Sequence, residues 1–158
     1  MKGRLPNFLF LFFLIITFFI LFSILEAYST LITISEVEPL PGRSSITYLL
    51  SKYTGSHGRF NFMVETRSVR LQPTGAYVNS AVITLYWSVE SPPGQNGRNF
   101  IISVRLYDDE GRSLTSGSVT VCLLKSTNSG SYTITLSNTN IDDVAKVETS
   151  IRDDGHWC

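Results

Sequence analysis

The chain has 158 residues, and its 13 basic and 13 acidic side chains leave a formal net charge of zero. This length suits one domain with a terminal extension. A chain without a basic surplus lacks the electrostatic footprint of nucleic-acid-binding proteins, so we expect no nucleic-acid partner. Charged residues make up only 16% of the chain, against about a quarter in typical soluble domains, and an apolar N-terminal segment explains part of this deficit.

A long apolar run, residues 8–25, lies close to the N-terminus and is interrupted only by Thr17 and Ser23. Eighteen helical residues span roughly 27 Å, close to the hydrocarbon thickness of a bilayer. The run has no polar face, so we expect a helix that spans the bilayer rather than one that lies on its surface. The predicted membrane anchor includes Phe8, Phe12, Ile16, Phe19 and Leu25.

The charges on either side of this run predict its orientation. Lys2 and Arg4 precede it, whereas Glu26 follows it with no basic residue nearby. Because basic flanks stay in the cytoplasm, we expect a single-pass protein of the cell membrane with a cytoplasmic N-terminus. Residues 1–29 then form the basic flank and the anchor, and residues 30–158 form an extracytoplasmic domain.

Two kinds of processing are alternatives to a retained anchor. Ala27-Tyr28-Ser29 has the small residues of a signal-peptidase site, although the apolar run exceeds the roughly 7–15 residues usual in a cleaved signal sequence. Lys2-Gly3 resembles the cleavage site of type IV pilin-like precursors. Arg4, Pro6 and the lack of an early glutamate in the helix depart from that pattern. All three routes export the rest of the chain.

The exported part shows two-residue alternation of apolar and polar side chains rather than a helical period. Such a pattern buries one face of a β-strand, but it does not place apolar residues on one side of a helix. The alternating apolar positions are Ile32 and Ile34; Phe60, Phe62 and Val64; Ile83, Leu85, Trp87 and Val89; Ile102, Val104 and Leu106; Val119, Val121 and Leu123; Tyr132, Ile134 and Leu136; and Val147 and Ile151.

Turn-forming motifs separate these runs. Seven or eight short strands with regular turns favour two packed layers. We therefore predict an all-β fold: a single antiparallel β-sandwich of the immunoglobulin-like type, preceded by one N-terminal transmembrane α-helix. Residues 45–52 suit either a strand or a short helical turn, and residues 142–145 suit one helical turn. The turn motifs are Leu40-Pro41-Gly42, Gln72-Pro73-Thr74-Gly75, Ser91-Pro92-Pro93-Gly94 and Asp108-Asp109-Glu110-Gly111, with glycine expected at positive φ in the last of them.

The last third of the chain resembles archaeal membrane-anchored cell-surface β-sandwich proteins, which are grouped as pilin-like. The similar segments are residues 104–111 (VRLYDDEG), 117–121 (GSVTV), 132–136 (YTITL) and 142–148 (DDVAKVE). These proteins begin with a hydrophobic helix, so the resemblance implies a surface or filament role. Because a fold does not fix a function, this role is an expectation from the resemblance alone.

Cys122 and Cys158 are the only cysteines, and outside the membrane they are free to oxidise. By the alternation, Cys122 lies on the face opposite Val121 and Leu123, where a C-terminal tail could present Cys158. We predict a disulfide between them, which would close a loop of about 37 residues and contribute about 3–4 kcal/mol. Two free thiols, or a bridge between chains through Cys158, are the alternatives.

No acid, base and nucleophile can be named together, so we expect no enzyme and predict no catalytic residue, metal or cofactor. His57 suits an exposed loop. The C-terminal residues Asp153, Asp154, His156 and Cys158 lack the regular spacing of a metal motif, which favours a solvated tail with Trp157 packed on the domain.

Two acidic groups also have a structural and a calcium-binding interpretation. A turn explains Asp108, Asp109 and Glu110, and helix capping explains Asp142 and Asp143. Calcium would need oxygen ligands from a second loop at either place, and no complete loop motif is present.

A β-prone segment follows the anchor directly. Because sequential strands usually pair locally, we expect it to form the first strand of its own sandwich. The alternative is strand donation to the edge of a neighbouring subunit, which would make the protein a polymer subunit. The apolar residues of this segment are Leu31, Ile32, Ile34 and Val37.

These patterns predict a membrane-anchored cell-surface structural or interaction protein, for example a pilin-like subunit or an accessory of a surface filament or envelope. Its partners would be the lipid bilayer through residues 8–25, and copies of itself or other envelope and filament proteins. The alternative is an extracellular binding module that recognises a ligand through loops at Gly55-Ser56-His57 and Pro92-Pro93-Gly94.

Overall fold

A computed structural model describes residues 46–158 and the backbone of residues 29–33. Strands account for most of this part, and one 3₁₀ turn, Ile141–Asp143, precedes the last strand. The predicted all-β fold is confirmed, and most of the ambiguous residues 45–52 belong to a strand. The strands are β1 (Ser29–Thr33), β2 (Thr47–His57), β3 (Phe60–Thr74), β4 (Tyr77–Val89), β5 (Gly97–Tyr107), β6 (Ser113–Leu124), β7 (Ser129–Asn140) and β8 (Lys146–Trp157).

Two-residue alternation places one side of each of the strands β2 to β8 in a single core. In β4, for example, Ile83, Leu85 and Trp87 are buried, as the alternation predicts. Side chains of non-adjacent strands meet in this core, where the rings of Phe62 in β3 and Phe100 in β5 are 6.1 Å apart between centroids. The sheet therefore curls around its own apolar side.

The strands form one sheet in the order β6-β5-β8-β2-β3-β4-β7, and β1 pairs with β2. All neighbouring strands in this order run antiparallel except β2 and β8, which pair in parallel through residues 47–49 and 146–148. The sheet is therefore mixed, whereas the sequence predicted purely antiparallel pairing. Alternation indicates which face of a strand is buried, but not the direction of the strand beside it.

The outer strands β6 and β7 approach each other and nearly close the sheet into a barrel-like arrangement. The Ser137 N–H of β7 donates to Thr115 Oγ1 of β6 at 3.2 Å. A Cβ atom built on Gly117 of β6 would overlap the carbonyl oxygen of Thr135 in β7. Glycine at this position therefore allows the two edges to come into backbone contact.

We expect Gly117→Val to lower the free energy of unfolding by about 1–3 kcal/mol, because the added side chain would push β6 away from β7. Urea unfolding measures the loss. The neighbouring Ser118 is exposed on the outer face of β6, so Ser118→Val is the matched control and should change stability by less than about 0.5 kcal/mol. Equal losses in the two variants would show that the approach of β7 does not constrain Gly117.

The connections between strands define two ends of the barrel. The Asp108 end contains the β3–β4 turn, the β5–β6 turn and the β7–β8 connection. The 3₁₀ turn lies here and overlaps the helical turn predicted at residues 142–145, with the Asp142 N–H donating to Asn140 Oδ1 at 3.1 Å. The Trp157 end contains the β2–β3 turn (residues 57–60), the β4–β5 loop (90–96), the β6–β7 turn (125–128) and the C-terminal residues (153–158).

The predicted anchor, residues 8–25, and the predicted donor positions Ile34 and Val37 lie outside the described residues. In the part of the chain that the structure describes, no helix is long and apolar enough to cross a membrane. The first part of the predicted donor segment, with Leu31 and Ile32, lies in β1, which pairs antiparallel with β2 of its own chain.

Candidate functional site at the Trp157 end

Trp157 lies in an aromatic cluster where β2 and β8 end and β3 begins. Its ring makes edge-to-face contacts with the rings of His57, Phe60 and Phe62, at centroid distances of 5.8, 5.6 and 5.7 Å. Pairs of aromatic rings in this geometry contribute about 0.5–1.5 kcal/mol each beyond the area that they bury. The cluster therefore fixes the C-terminal end of β8 against the β2–β3 turn.

Arg98 lies beneath this cluster, and its side chain is only 3% exposed. Its Nε and Nη2 atoms donate to the two carboxylate oxygens of Asp153 at 2.9–3.1 Å. The rings of Trp157 and Phe62 lie 4.6 and 5.0 Å from the guanidinium carbon. Among the described residues, Nη1 has no hydrogen-bond partner. One carboxylate thus balances the buried charge, and aromatic faces replace part of its hydration.

A bulge in β8 brings Asp153 and Trp157 to the same site. Arg98 pairs with Trp157 and Phe100 pairs with Asp153, so a longer stretch of β8 lies beside a shorter stretch of β5. Gly155 in this bulge has φ 85°, a conformation that favours glycine, and its N–H donates to Asp153 Oδ1 at 2.9 Å. The bulge therefore positions the carboxylate that holds Arg98.

Cys122 and Cys158 lie at disulfide-bonding distance with their Cα atoms 6.0 Å apart, as the predicted bridge requires. Cys122 lies in β6 beside the buried Val121 and points away from the core, as the alternation predicts. The Cys158 N–H donates to the Gly97 carbonyl, and the Cys158 carbonyl accepts from the N–H groups of Asn96 and Gly97. The C-terminus is thus fixed to β5 directly beside Trp157.

The two segments of the predicted binding module both lie at this end of the barrel. Pro92-Pro93-Gly94 is part of the β4–β5 loop, which Lys125 holds by donating from Nζ to the Gln95 carbonyl at 2.8 Å. Gly55-Ser56-His57 is the end of β2 rather than a loop, because it pairs with residues 60–62 of β3. His57 is nevertheless exposed, as expected.

The C-terminal acidic residues and His156 are engaged with their neighbours in β8. Asp153 pairs with Arg98, and Asp154 Oδ2 lies 3.3 Å from His156 Nδ1. Within residues 46–158, no three histidine, cysteine or acidic side chains come together as a metal site would need. The sequence suggested a solvated tail, but these residues are strand, and Trp157 packs against the core as expected.

The acidic turn at the Asp108 end binds an arginine of the same turn. The Asp108 carboxylate accepts from Arg112 Nε and from the Arg112 N–H, both at 2.7 Å, and Gly111 has φ 80°, as predicted. Arg112 Nη1 also lies 2.9 Å from Glu110 Oε2. The hydrogen bond from the Arg112 side chain lowers the pKa of Asp108 below its usual value, and burial only partly opposes it.

Asp108→Asn should therefore destabilise the protein at neutral pH but not in acid. A carboxyl with a lowered pKa in the folded state stabilises the fold above its unfolded pKa of about 3.9, and this contribution disappears as the pH falls through the folded pKa. Thermal unfolding at about pH 7 and about pH 2.5 measures the difference in melting temperature between the wild type and the variant. A difference that did not shrink in acid would contradict this assignment.

A cluster of three buried hydroxyl groups joins β2, β3 and β8 just beyond residues 47–49 and 146–148, where β2 and β8 pair in parallel. Thr149 Oγ1 lies 3.0 Å from Ser51 Oγ and 3.4 Å from Thr66 Oγ1, and it accepts from the Ser51 N–H at 2.9 Å. This bond satisfies a backbone donor that the strand pairing leaves open. Because the hydroxyls contact one another and the backbone, the cluster is a structural link between three strands.

Sequence reasoning did not single out Arg98 or its pairing with Asp153. One local signal was available, since Arg98 is in phase with the buried residues Phe100, Ile102 and Val104 of β5. The alternation extended by one step therefore places Arg98 inside the barrel. Nothing in the local pattern identifies its partner, which lies 55 residues further along the chain.

Comparison of the chain with protein-family models, curated proteins and solved structures finds no match. Its class is therefore defined by its own geometry. The part of the chain that the structure describes is all-β, with a nearly closed mixed sheet, and one end of that sheet combines an aromatic cluster, a buried ion pair and a cysteine pair at bonding distance.

Proposed function

We propose that the chain is a membrane-anchored cell-surface protein with a structural or interaction role and no catalytic activity. Residues 8–25 provide the transmembrane anchor, and residues 30–158 form the extracytoplasmic domain. We propose the finer architecture as well: an immunoglobulin-like sandwich that follows one transmembrane helix. In that architecture Phe62 of β3 and Phe100 of β5, whose rings lie 6.1 Å apart across the core, would belong to facing layers.

The cysteine pair carries the argument for an outer location. Cys122 and Cys158 are 36 residues apart in the sequence, yet they meet at bonding distance. Disulfides form and persist in oxidising compartments and are rare in the cytoplasm. The basic residues ahead of the anchor independently favour the same location for this domain. Two unrelated features thus support an extracytoplasmic position.

Self-association, or contact with other envelope and filament proteins, is the interaction role that we propose. β1 is a five-residue strand separated from β2 by residues 34–46, so the same antiparallel pairing could form with β2 of a second copy. Such an exchange would join neighbouring subunits at the membrane. A pilin-like subunit or a filament accessory would assemble in this way.

The second candidate is an extracellular binding module, and the convergence of connections at the Trp157 end favours it. Pro92-Pro93-Gly94 and the exposed His57 lie at the same end of the barrel. Loops that a rigid sheet positions at one end are a common location for recognition. In this case the domain would act as a monomer, and the anchor would only hold it at the surface.

Intact mass and native size of the membrane-extracted protein, with and without reductant, test these proposals. A full-length mass in large assemblies supports a retained anchor and a filament or envelope subunit. A monomer that starts at Thr30 and does not respond to reductant contradicts the anchored polymer and leaves a secreted binding domain. A chain that starts at Arg4 points to pilin-type processing.

A further inference from the structure

We infer that the Trp157 end of the barrel faces the membrane, and that its β2–β3 turn contacts the phosphate groups of the lipid headgroups. This inference rests on the proposed anchor at residues 8–25. It adds an orientation of the domain and a contact surface, neither of which the anchor alone provides.

The direction of β1 indicates on which side of the domain the proposed anchor lies. β1 runs antiparallel to β2, with Ser29 opposite Tyr53 and Thr33 opposite Leu49. Since β2 runs from the Asp108 end towards the Trp157 end, β1 runs the opposite way. Ser29, where the chain enters β1, is therefore the end of β1 nearer the Trp157 end, and we infer that the proposed anchor lies on that side.

The linker between the anchor and β1 and the last part of β2 have similar lengths. Four residue steps separate Leu25, the last apolar residue of the anchor, from Ser29, and fully extended they reach about 14 Å. Four steps of β2 also separate Tyr53, opposite Ser29, from His57, and they extend about 13 Å. Even a fully extended linker therefore places the β2–β3 turn no farther from the bilayer than the level of Leu25. Because each headgroup layer is about 5–8 Å thick, the turn lies at this layer.

The chemistry of the turn fits this position. Arg59 is exposed, and its guanidinium carbon lies 5.3 Å from the centre of the Phe60 ring. Within residues 46–158, no acidic side chain forms an ion pair with Arg59, so its charge is available to a phosphate. Trp157 packs behind the turn on Phe60. Aromatic rings with a nearby cation are typical of the membrane–water interface.

The opposite end of the barrel has the opposite character. Asp109 and Glu110 are exposed in the β5–β6 turn. Arg112 pairs with Glu110, whereas the negative potential of a membrane surface repels the carboxylate of Asp109. The ten steps of β2 between Thr47 and His57 extend about 33 Å, so this turn would lie far outside the headgroup layer. The β2–β3 turn thus offers a cation to the headgroups, with the exposed Glu90 hydrogen-bonded to Asn61 beside it, whereas the β5–β6 turn offers the exposed carboxylate of Asp109.

Fluorescence quenching by headgroup spin labels tests the orientation on the full-length protein in phosphatidylcholine–phosphatidylglycerol liposomes. Ser56→Cys places a fluorophore beside the β2–β3 turn, and Asp109→Cys places one at the other end, with Cys122 and Cys158 kept oxidised. Both positions are exposed. We expect several-fold stronger quenching at position 56 than at position 109. Equal quenching, or stronger quenching at position 109, would overturn the inferred orientation.

The anchor is tested on the same samples by an alkaline carbonate wash. Protein released by the wash contradicts the proposed function itself, whereas retained protein with the wrong quenching pattern contradicts only the orientation.

Arg59→Glu tests the phosphate contact, with Arg70→Glu as a matched exposed control in β3. Quenching at position 56 should fall in Arg59→Glu and not in the control. Unchanged quenching in Arg59→Glu would overturn the phosphate contact.

Discussion

Replacing both cysteines, in the variant Cys122→Ala/Cys158→Ala, should lower the free energy of unfolding by about 3–4 kcal/mol. A cross-link over 36 residues restricts the unfolded chain, and its removal restores that conformational freedom. The loss is a large part of the total for a domain of this size, because such domains are typically stable by only about 5–15 kcal/mol. Urea unfolding under oxidising conditions measures it.

Reductant provides the control for the cysteine variant. The oxidised wild type should lose most of the same stability when it is reduced, whereas the double variant should not respond. Tryptophan fluorescence should change with the loss, because the bridge fixes Cys158, the neighbour of Trp157, to β6. Equal stability of the oxidised wild type and the variant would show that the cysteine pair does not bridge in solution.

Asp153→Ala should lower the free energy of unfolding by about 3–5 kcal/mol, because it leaves the charge of Arg98 buried without a paired carboxylate. The guanidinium cannot turn towards water, since the rings of Phe62 and Trp157 cover it and its side chain is 3% exposed. Desolvating an unpaired charge is among the most costly single changes in a protein. Equilibrium unfolding at neutral pH measures the effect.

Two further variants separate the buried charge from a general loss of contacts. The double change Arg98→Met/Asp153→Leu removes both charges and should destabilise the protein less than Asp153→Ala alone. Glu110→Ala removes one partner of an exposed ion pair and should cost less than about 1 kcal/mol. If Asp153→Ala were as mild as Glu110→Ala, Arg98 would not depend on its carboxylate.

The strands of this protein were predictable because most of them expose one face to water. Ile102, Val104 and Leu106 are fully buried, and Ser103 and Arg105 between them are not. The burial of the side chains therefore repeats every two residues, as the alternation of apolar and polar residues in the sequence predicts. The order of the strands in the sheet was not predictable in the same way. It depends on the parallel pairing of residues 47–49 with 146–148, which are distant in the sequence.

The candidate site was only partly predictable for a related reason. The bridge between Cys122 and Cys158 was expected because the chain offers only one possible pair. Arg98 was missed because arginine is rarely buried, and its burial depends on a carboxylate and two rings from other strands. Residues 55–57 were assigned to a loop because glycine and serine are common in turns, yet they complete β2.

The position of β8 has a consequence for when the domain can fold. β8 is the last strand of the chain, but it lies between β5 and β2 in the sheet, and Ser51 and Thr149, which it brings together, are 98 residues apart. Pairings of this kind form slowly, because the entropy cost of closing a long loop comes before the stabilising contacts can form.

If the chain crosses the membrane in sequence order after its anchor has inserted, as we propose, β8 leaves the translocation channel after β1 to β7. Until then β2 and β5 lack the strand between them, and the core cannot close. Such a strand order would keep the domain unfolded, and so able to pass through the channel, until β8 has crossed the membrane. Folding would then be completed in the compartment where Cys122 and Cys158 can oxidise.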